Sequence, residues 1–304
     1  VVDSPLAPWG LMLPNFDPFE RGELPIVDTA RRAEELGFDA VWVGDHLAFH
    51  PPILEATMAL SAAAAVTSRV RLGFAVLLAP MRQPVWLAKA LQSMSHLAPG
   101  RLIAGFGVGG EHPPEWRAAD AEVRGRGRRL DEFLELLPRL LGGEAVVHSG
   151  ALDVETPPLR PACAVPPIAI GGRSDAAIRR AARHADSWMT VWMDPRQVEE
   201  ATQRLANVAA AEGRPTPETT MVMFAGIGDE TVCEADAERL FRGQYDLPLD
   251  VVRAWTQLGS PERVAEGFQR YIDAGVAGFV IIPTRPDVLE QAEALAEVRG
   301  LLRF

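Results

Sequence analysis

Short runs of apolar, β-branched residues alternate with longer amphipathic segments along the chain, and this alternation predicts strand–helix units around a parallel sheet. Strands are predicted at Trp9 to Leu13, Ala40 to Gly44, Val70 to Leu78, Leu102 to Phe106, Pro167 to Ile170, Ser187 to Val191, Thr219 to Ile227 and Phe279 to Ile282. The Ala-Val-Trp-Val run at 40–43 has no polar position, so both of its faces are expected to be buried. Helices are predicted over Leu24 to Leu36, Pro84 to Leu97, Arg126 to Leu141, Asp175 to His184, Pro195 to Ala211 and Pro261 to Ala274, and the apolar Ala59 to Val66 reads as a buried helix. Gly37 follows the first of these where a left-handed C-cap is expected. About eight such units close an α/β fold of the (β/α)8 TIM-barrel type. An open, doubly wound sheet is the alternative, because alternation alone does not say whether the sheet closes. The Pro-, Gly- and small-residue-rich stretch from Gly142 to Pro166 reads as an irregular insertion rather than a linker, so residues 1–304 are expected to form one domain.

Composition narrows the partners. A formal charge of -11 makes a phosphate-backbone binder a poor expectation, since such proteins need clustered Lys and Arg. Lys89 is the only lysine, which rules out lysine-based chemistry elsewhere. Cys163 and Cys233 have neither zinc-site nor disulfide patterning and fit a reducing cytoplasm, and the four histidines His50, His96, His148 and His184 lack metal-ligand spacing, so no metal is expected. No window approaches 18 uninterrupted apolar residues, so neither a membrane span nor an export signal is expected.

Three clusters carry candidate chemistry. Asp45-His46 ends a predicted strand, where barrel enzymes place reacting side chains and where a histidine exchanges protons near neutral pH; a structural pair capping the turn explains it equally well. Glu111 and His112 follow another strand, and Glu111 is a candidate acid or base. Ile170-Gly171-Gly172-Arg173-Ser174 joins a strand to a helix, as a phosphate site does, and equally as a turn that merely needs glycine does. Gly105 to Gly110 matches G-x-G-x-x-G, but Glu111-His112-Pro113-Pro114-Glu115 extends the loop where a dinucleotide site would open straight into a helix, and Asp131 falls inside a helix.

The stretches Ala-Glu-Glu-Leu-Gly-Phe-Asp-Ala-Val-Trp-Val-Gly-Asp-His at 33–46, Val-Thr-Ser-Arg-Val-Arg-Leu-Gly at 66–73, Pro-Gly-Arg-Leu-Ile-Ala-Gly-Phe-Gly-Val-Gly at 99–109 and Ile-Gly-Gly-Arg-Ser at 170–174 resemble, in order and spacing, the luciferase-like monooxygenase superfamily, and within it the probable F420-dependent oxidoreductases. The resemblance implies a (β/α)8 barrel with insertions that binds coenzyme F420 or FMN at the carboxyl ends of its strands. It implies that His46 lies beside the redox-active ring with Asp45 adjacent. Glu111 would correspond to an active-site acid, and Gly171, Gly172, Arg173 and Ser174 to the cofactor phosphate site. Gly107 and Gly109 would lie against the cofactor, and Ala75-Val76 would be a bulge with a non-prolyl cis peptide supporting the ring. Two departures limit the transfer: Phe74 stands where a small or hydroxyl residue is frequent, and the lysines that hold a sugar phosphate are missing.

The cofactor decides the reaction class. With F420 the expected reaction is hydride transfer to or from a small organic substrate, with His46 or Glu111 handling the proton. With reduced FMN the chain would be the oxygenase of a two-component monooxygenase that uses O2 and is fed by a flavin reductase. A barrel that keeps the fold but binds no flavin is the non-catalytic alternative. Trp192, Phe49, His112, Trp116 and the 142–166 insertion are expected to shape the pocket, and a homodimer is expected from the resemblance.

Overall fold

A computed structural model describes residues 6–110 and 112–303. The strands β1 (Trp9–Met12), β2 (Ala40–Val43), β3 (Arg71–Phe74), β4 (Leu102–Phe106), β7 (Ile168–Gly171), β8 (Ser187–Val191), β9 (Glu218–Ile227) and β11 (Gly278–Pro283) pair side by side in that order, all parallel, and β11 returns to β1. The sheet is therefore a closed eight-stranded barrel, and its eight strands are those that the apolar runs predict. A further strand, β10 (Thr256–Gly259), pairs with residues 224–227 of β9, on from the 218–222 stretch that pairs with β8. Its Thr-Gln-Leu-Gly sequence carries no apolar run, and pattern alone does not find it.

Around the barrel lie α1 (Ile26–Glu35), α2 (Ala56–Val66), α3 (Pro84–Leu97), α4 (Pro113–Ala118), α5 (Arg126–Leu141), α6 (Asp175–His184), α7 (Pro195–Ala211), α8 (Glu230–Tyr245), α9 (Leu249–Val252), α10 (Pro261–Asp273) and α11 (Val288–Gly300). Gly37 ends α1 at φ +80, with its N–H on Glu34 and the Phe38 N–H on Ala33, which is the expected left-handed cap. The 142–166 segment contains an antiparallel hairpin, β5 (Val146–His148) with β6 (Val154–Thr156). Glu132 of α5 accepts the N–H groups of Ala151 and Leu152, and Gln92 of α3 donates to Leu159, so the insertion lies along α3 and α5. Among the described residues no helix is long and apolar enough to cross a membrane.

The barrel interior is filled by side chains. Trp42 lies across it, and a Cβ on Gly10 or Gly73, its neighbours on β1 and β3, would come within 2.2 and 2.1 Å of the indole. Two residues without side chains thus make room for one large one, which is how a barrel stays packed rather than hollow.

At the amino end of the strands, Glu34 of α1 accepts the N–H groups of Ser68, Arg69 and Val70 just before β3. Burial acts to raise its pKa, but the three backbone donors and Arg69 outweigh it and hold the carboxyl at about 2. A depressed carboxylate stabilises the fold fully above its unfolded value of 4.5, and that contribution disappears as the pH falls toward 2. Glu34→Gln is expected to lose about 2 kcal/mol at pH 7, in line with hydrogen bonds to a charged group. Denaturant unfolding should show the gap between the two proteins narrowing from pH 7 to pH 3; a constant gap would assign the loss to packing instead.

Candidate active site

The carboxyl ends of the strands open into a cavity of about 730 Å³. Ala75, Val76, Gly107, Gly109, Gly171 and Gly172, drawn from the ends of three strands, line it together with Asp45 and His46. Residues that sequence reading scatters over 128 positions thus share one chamber (Asp45 through Gly172).

The cradle on one side is built from glycine. After β3 the chain bulges at Ala75-Val76, whose peptide bond is cis, and returns to pairing at Leu77, whose N–H donates to Gly105 and whose carbonyl accepts from Gly107. A Cβ on Gly105 would lie 1.8 Å from the Phe74 carbonyl oxygen; one on Gly107 would lie 2.4 Å from Val76 Cγ2, and one on Gly171 3.0 Å from Val76 Cγ1. The G-x-G of the 105–110 motif therefore serves close packing against the bulge. Its helix, α4, starts only at Pro113.

Asp45 is 5% exposed and fully engaged. It accepts the Leu78 N–H at 2.9 Å, and Arg82 grips it through Nη2 at 2.7 Å and Nε at 3.3 Å. Burial acts to lower the basicity of the Arg82 guanidinium, but Asp45 and Glu55, the latter 2.8 Å from Nη2, outweigh it and raise its pKa. Asp45 thus ties the β2 end to the turn after the bulge and anchors the chain immediately before His46.

His46 is held on two sides. Its Nδ1 lies 3.0 Å from each carboxylate oxygen of Glu115, and its ring stacks on Phe49 with centroids 3.9 Å apart and planes 14° from parallel. Glu115, on α4, is wholly buried, and its Oε2 also accepts the Leu47 N–H at 3.1 Å. Sequence reading missed both Glu115 and Arg82. For Glu115 a signal existed: two prolines at the start of a helix followed by a glutamate read as a first turn, which would have placed the carboxylate in an element instead of an extended loop. Glu111 lies outside the described residues.

At the expected phosphate site Gly171 and Gly172 line the cavity, and Gly172 has φ +129, a conformation that side chains rarely adopt. Ser174 is the N-cap of α6, accepting from Ala177 N–H at 3.2 Å, and Arg173 is turned over the Trp192 ring, 5.8 Å from its centroid, with Nη1 donating to the Trp192 carbonyl. Trp192, itself at φ +53, packs parallel to Phe224 and edge-on to Tyr245. Phe49 and Trp192 line the cavity as expected of pocket residues. Trp116 does not: it is buried beneath Gly109, where a Cβ would touch it at 3.4 Å. The described residues of 142–166 also stay away from the cavity, because the insertion packs on α3 and α5; segments 16–25, 240–247 and 282–289 wall it instead.

The chamber can accept a planar ring on its glycine-backed side, present an imidazole to it, and enclose an apolar partner among aromatic side chains. An uncharacterised protein of Mycobacterium tuberculosis is 32% identical, with 79% of this chain and 93% of that protein covered. The F420-dependent hydroxymycolic acid dehydrogenase of the same organism is 28% identical over 85% of this chain and 79% of the relative. Among solved structures, an F420-dependent secondary alcohol dehydrogenase in complex with an F420–acetone adduct superposes with a TM-score of 0.83 at 19% identity, covering 99% of this chain and 100% of the other. The model of the luciferase-like monooxygenase family matches residues 24–246, which is more than half of the 304, and the chain, an enzyme by that kinship, belongs to this family.

Proposed function

We propose that this enzyme transfers a hydride between coenzyme F420 and a small, largely apolar alcohol or carbonyl compound. The observation that carries the reading is the gathering of His46, the Ala75-Val76 bulge and the glycine pairs 107/109 and 171/172 around one cavity. The residues fit the cofactor: Gly105, Gly107 and Gly171 leave no side chain between the bulge and its neighbours, so Val76 can back a flat ring, and Gly171-Gly172 before α6 suits a phosphate. When bound, the deazaflavin supplies the site that gives or takes the hydride. This chain orients it, excludes water and moves the accompanying proton at His46.

The remaining wall explains the substrate class. Phe16, Phe19, Phe49, Trp192, Phe224 and Tyr245 all face the chamber. Apolar lining favours a hydrophobic ligand with few polar groups, and with the only lysine, Lys89, on α3 and donating to the Arg160 carbonyl, a sugar phosphate is disfavoured. The named activity of the hydroxymycolic acid dehydrogenase and of the secondary alcohol dehydrogenase supports an alcohol.

Fluorescence titration with F420 and FMN, each oxidised and reduced, tests the reading. Micromolar binding of F420 with weak FMN binding is expected, abolished by Gly172→Asp. Preference for reduced FMN, with O2 uptake and dependence on a separate reductase, would replace it by a two-component monooxygenase. Binding of neither would leave a barrel without this chemistry.

We also propose a cytoplasmic homodimer. The two free cysteines suit a reducing compartment. Met58 on α2 and Trp86 and Leu97 on α3 are 72%, 76% and 67% exposed, large apolar side chains on neighbouring helices that a second copy would cover. A monomer in sedimentation velocity would overturn the dimer.

A further inference from the structure

We propose that Glu115 is the positioning residue that sets the tautomer of His46, holding the proton on Nδ1 so that Nε2 offers a lone pair to a substrate hydroxyl. The inference rests on the reading of His46 as the proton-handling group.

Both oxygens of Glu115 face the same nitrogen, each 3.0 Å from Nδ1. A carboxylate only accepts hydrogen bonds, so a neutral imidazole meets it with an Nδ1 proton, and the opposite nitrogen is then the acceptor. Three further features make the pairing rigid. Glu115 is wholly buried, so water does not compete for it; the Leu47 N–H, the residue next to His46, binds the same Oε2 at 3.1 Å; and Phe49 lies parallel to the ring at 3.9 Å, which blocks its rotation out of plane. The helix that carries Glu115 starts with Pro113 and Pro114, which fix the backbone just before it.

The reaction that this arrangement favours is oxidation of an alcohol. With an oxidised deazaflavin held on the glycine-backed side as hydride acceptor, the substrate O–H proton would go to His46 Nε2 while the carbinol C–H hydrogen would leave with its electron pair and the O–H pair would form the second C–O bond of a carbonyl. The imidazolium so produced carries its charge beside the Glu115 carboxylate, which stabilises it at the moment it forms. In the reverse direction the same Nε2 returns the proton to the carbonyl oxygen.

Glu115→Gln gives a sharp test because it keeps the shape and changes the donor pattern. The Gln oxygen at the Oε2 position keeps the Leu47 N–H, and the Gln NH2 then takes the Oε1 position 3.0 Å from Nδ1, where two facing N–H groups repel and an acceptor Nδ1 is favoured. The proton moves to Nε2, and the base disappears. The 15N chemical shifts of the His46 ring are expected to report Nδ1–H in the unsubstituted protein and Nε2–H in Glu115→Gln. Alcohol turnover is expected to fall roughly 100-fold or more, with cofactor affinity changed by no more than a few-fold. In the His46→Asn background the second substitution should cost little more, since the two act as a unit. An Nε2–H tautomer in the unsubstituted protein overturns the inference, and needs no variant to fold. Retained turnover in a folded Glu115→Gln, or losses that multiply in the double variant, would overturn it too. Failure of the unsubstituted protein to bind F420 sinks the functional reading instead, and leaves the tautomer measurement intact.

Discussion

His46→Ala is expected to lower turnover by about 10²- to 10⁴-fold, the range that a positioned acid or base contributes, while the cofactor still binds. The proposed cofactor cradle consists of the bulge and of glycines of β4, β7 and the turns after them, none of which touches the imidazole. The alanine variant has a second defect, because it removes the Nδ1 donor from the buried Glu115 carboxylate and leaves it only the Leu47 N–H, and a lost hydrogen bond to a buried charged group costs about 3 kcal/mol. Lost activity in alanine alone would therefore mix chemistry with folding. His46→Asn separates them. Its amide nitrogen falls where Nδ1 was and donates to Glu115, so the anchor survives, but no atom remains where Nε2 was. The asparagine variant should melt close to the unsubstituted protein, bind F420, and be as inactive as alanine. Normal turnover by a folded His46→Asn would remove His46 from the reaction and with it the alcohol-oxidation reading.

The expectation for the fold could be read because the barrel strands are buried on both faces. In a parallel sheet enclosed by helices nearly every strand position is apolar, as at Ala40–Val43 and Ile168–Gly171, and the runs stand out from the amphipathic helices between them. β10 was not legible because it pairs on one side only with the end of β9 and shows no such run. For the site, the backbone-determined parts were legible and the side-chain partners were not. Gly107, Gly171 and Gly172 announce themselves because glycine has few reasons to persist at a strand end other than close approach or turning. Glu115 and Arg82 look like ordinary surface charges. What makes them part of the site is a partner 69 positions away in one case and 37 in the other, and only the side-by-side pairing of β2, β3 and β4 brings those pairs into contact. The same distance argument separates Trp116 from the pocket: an aromatic near a strand end is as well placed to underpin the loop as to line the chamber, and here it supports Gly109 from below.

Gly105→Ala is expected to destabilise the protein by about 3 kcal/mol or more, the upper part of the range for overpacking a core, and to weaken cofactor binding at least about tenfold. The cause is the identity of the atom that the methyl meets. At Gly105 it is the Phe74 carbonyl oxygen at 1.8 Å, and a backbone oxygen cannot rotate aside. Relief requires β3 and β4 to separate at the point where Leu77 N–H donates to the Gly105 carbonyl, which moves the bulge itself. Gly107→Ala makes a useful contrast. Its methyl would meet Val76 Cγ2 at 2.4 Å, the end of a side chain, so trimming that side chain makes room. Val76→Ala should therefore recover most of the stability lost in Gly107→Ala and almost none of that lost in Gly105→Ala. Denaturant unfolding of the two double variants, beside F420 titration of each, reads both effects. If Val76→Ala rescued both glycine variants alike, the clash at Gly105 would be with the side chain after all, and the bulge would be softer than its neighbours imply. If it rescued neither, the glycines would be required for backbone conformation rather than for space. The expected split, one rescued and one not, would tie the proposed cofactor cradle to a specific backbone oxygen, and would make the spacing of Gly105 and Gly107 a consequence of how closely β4 must approach the bulge after β3.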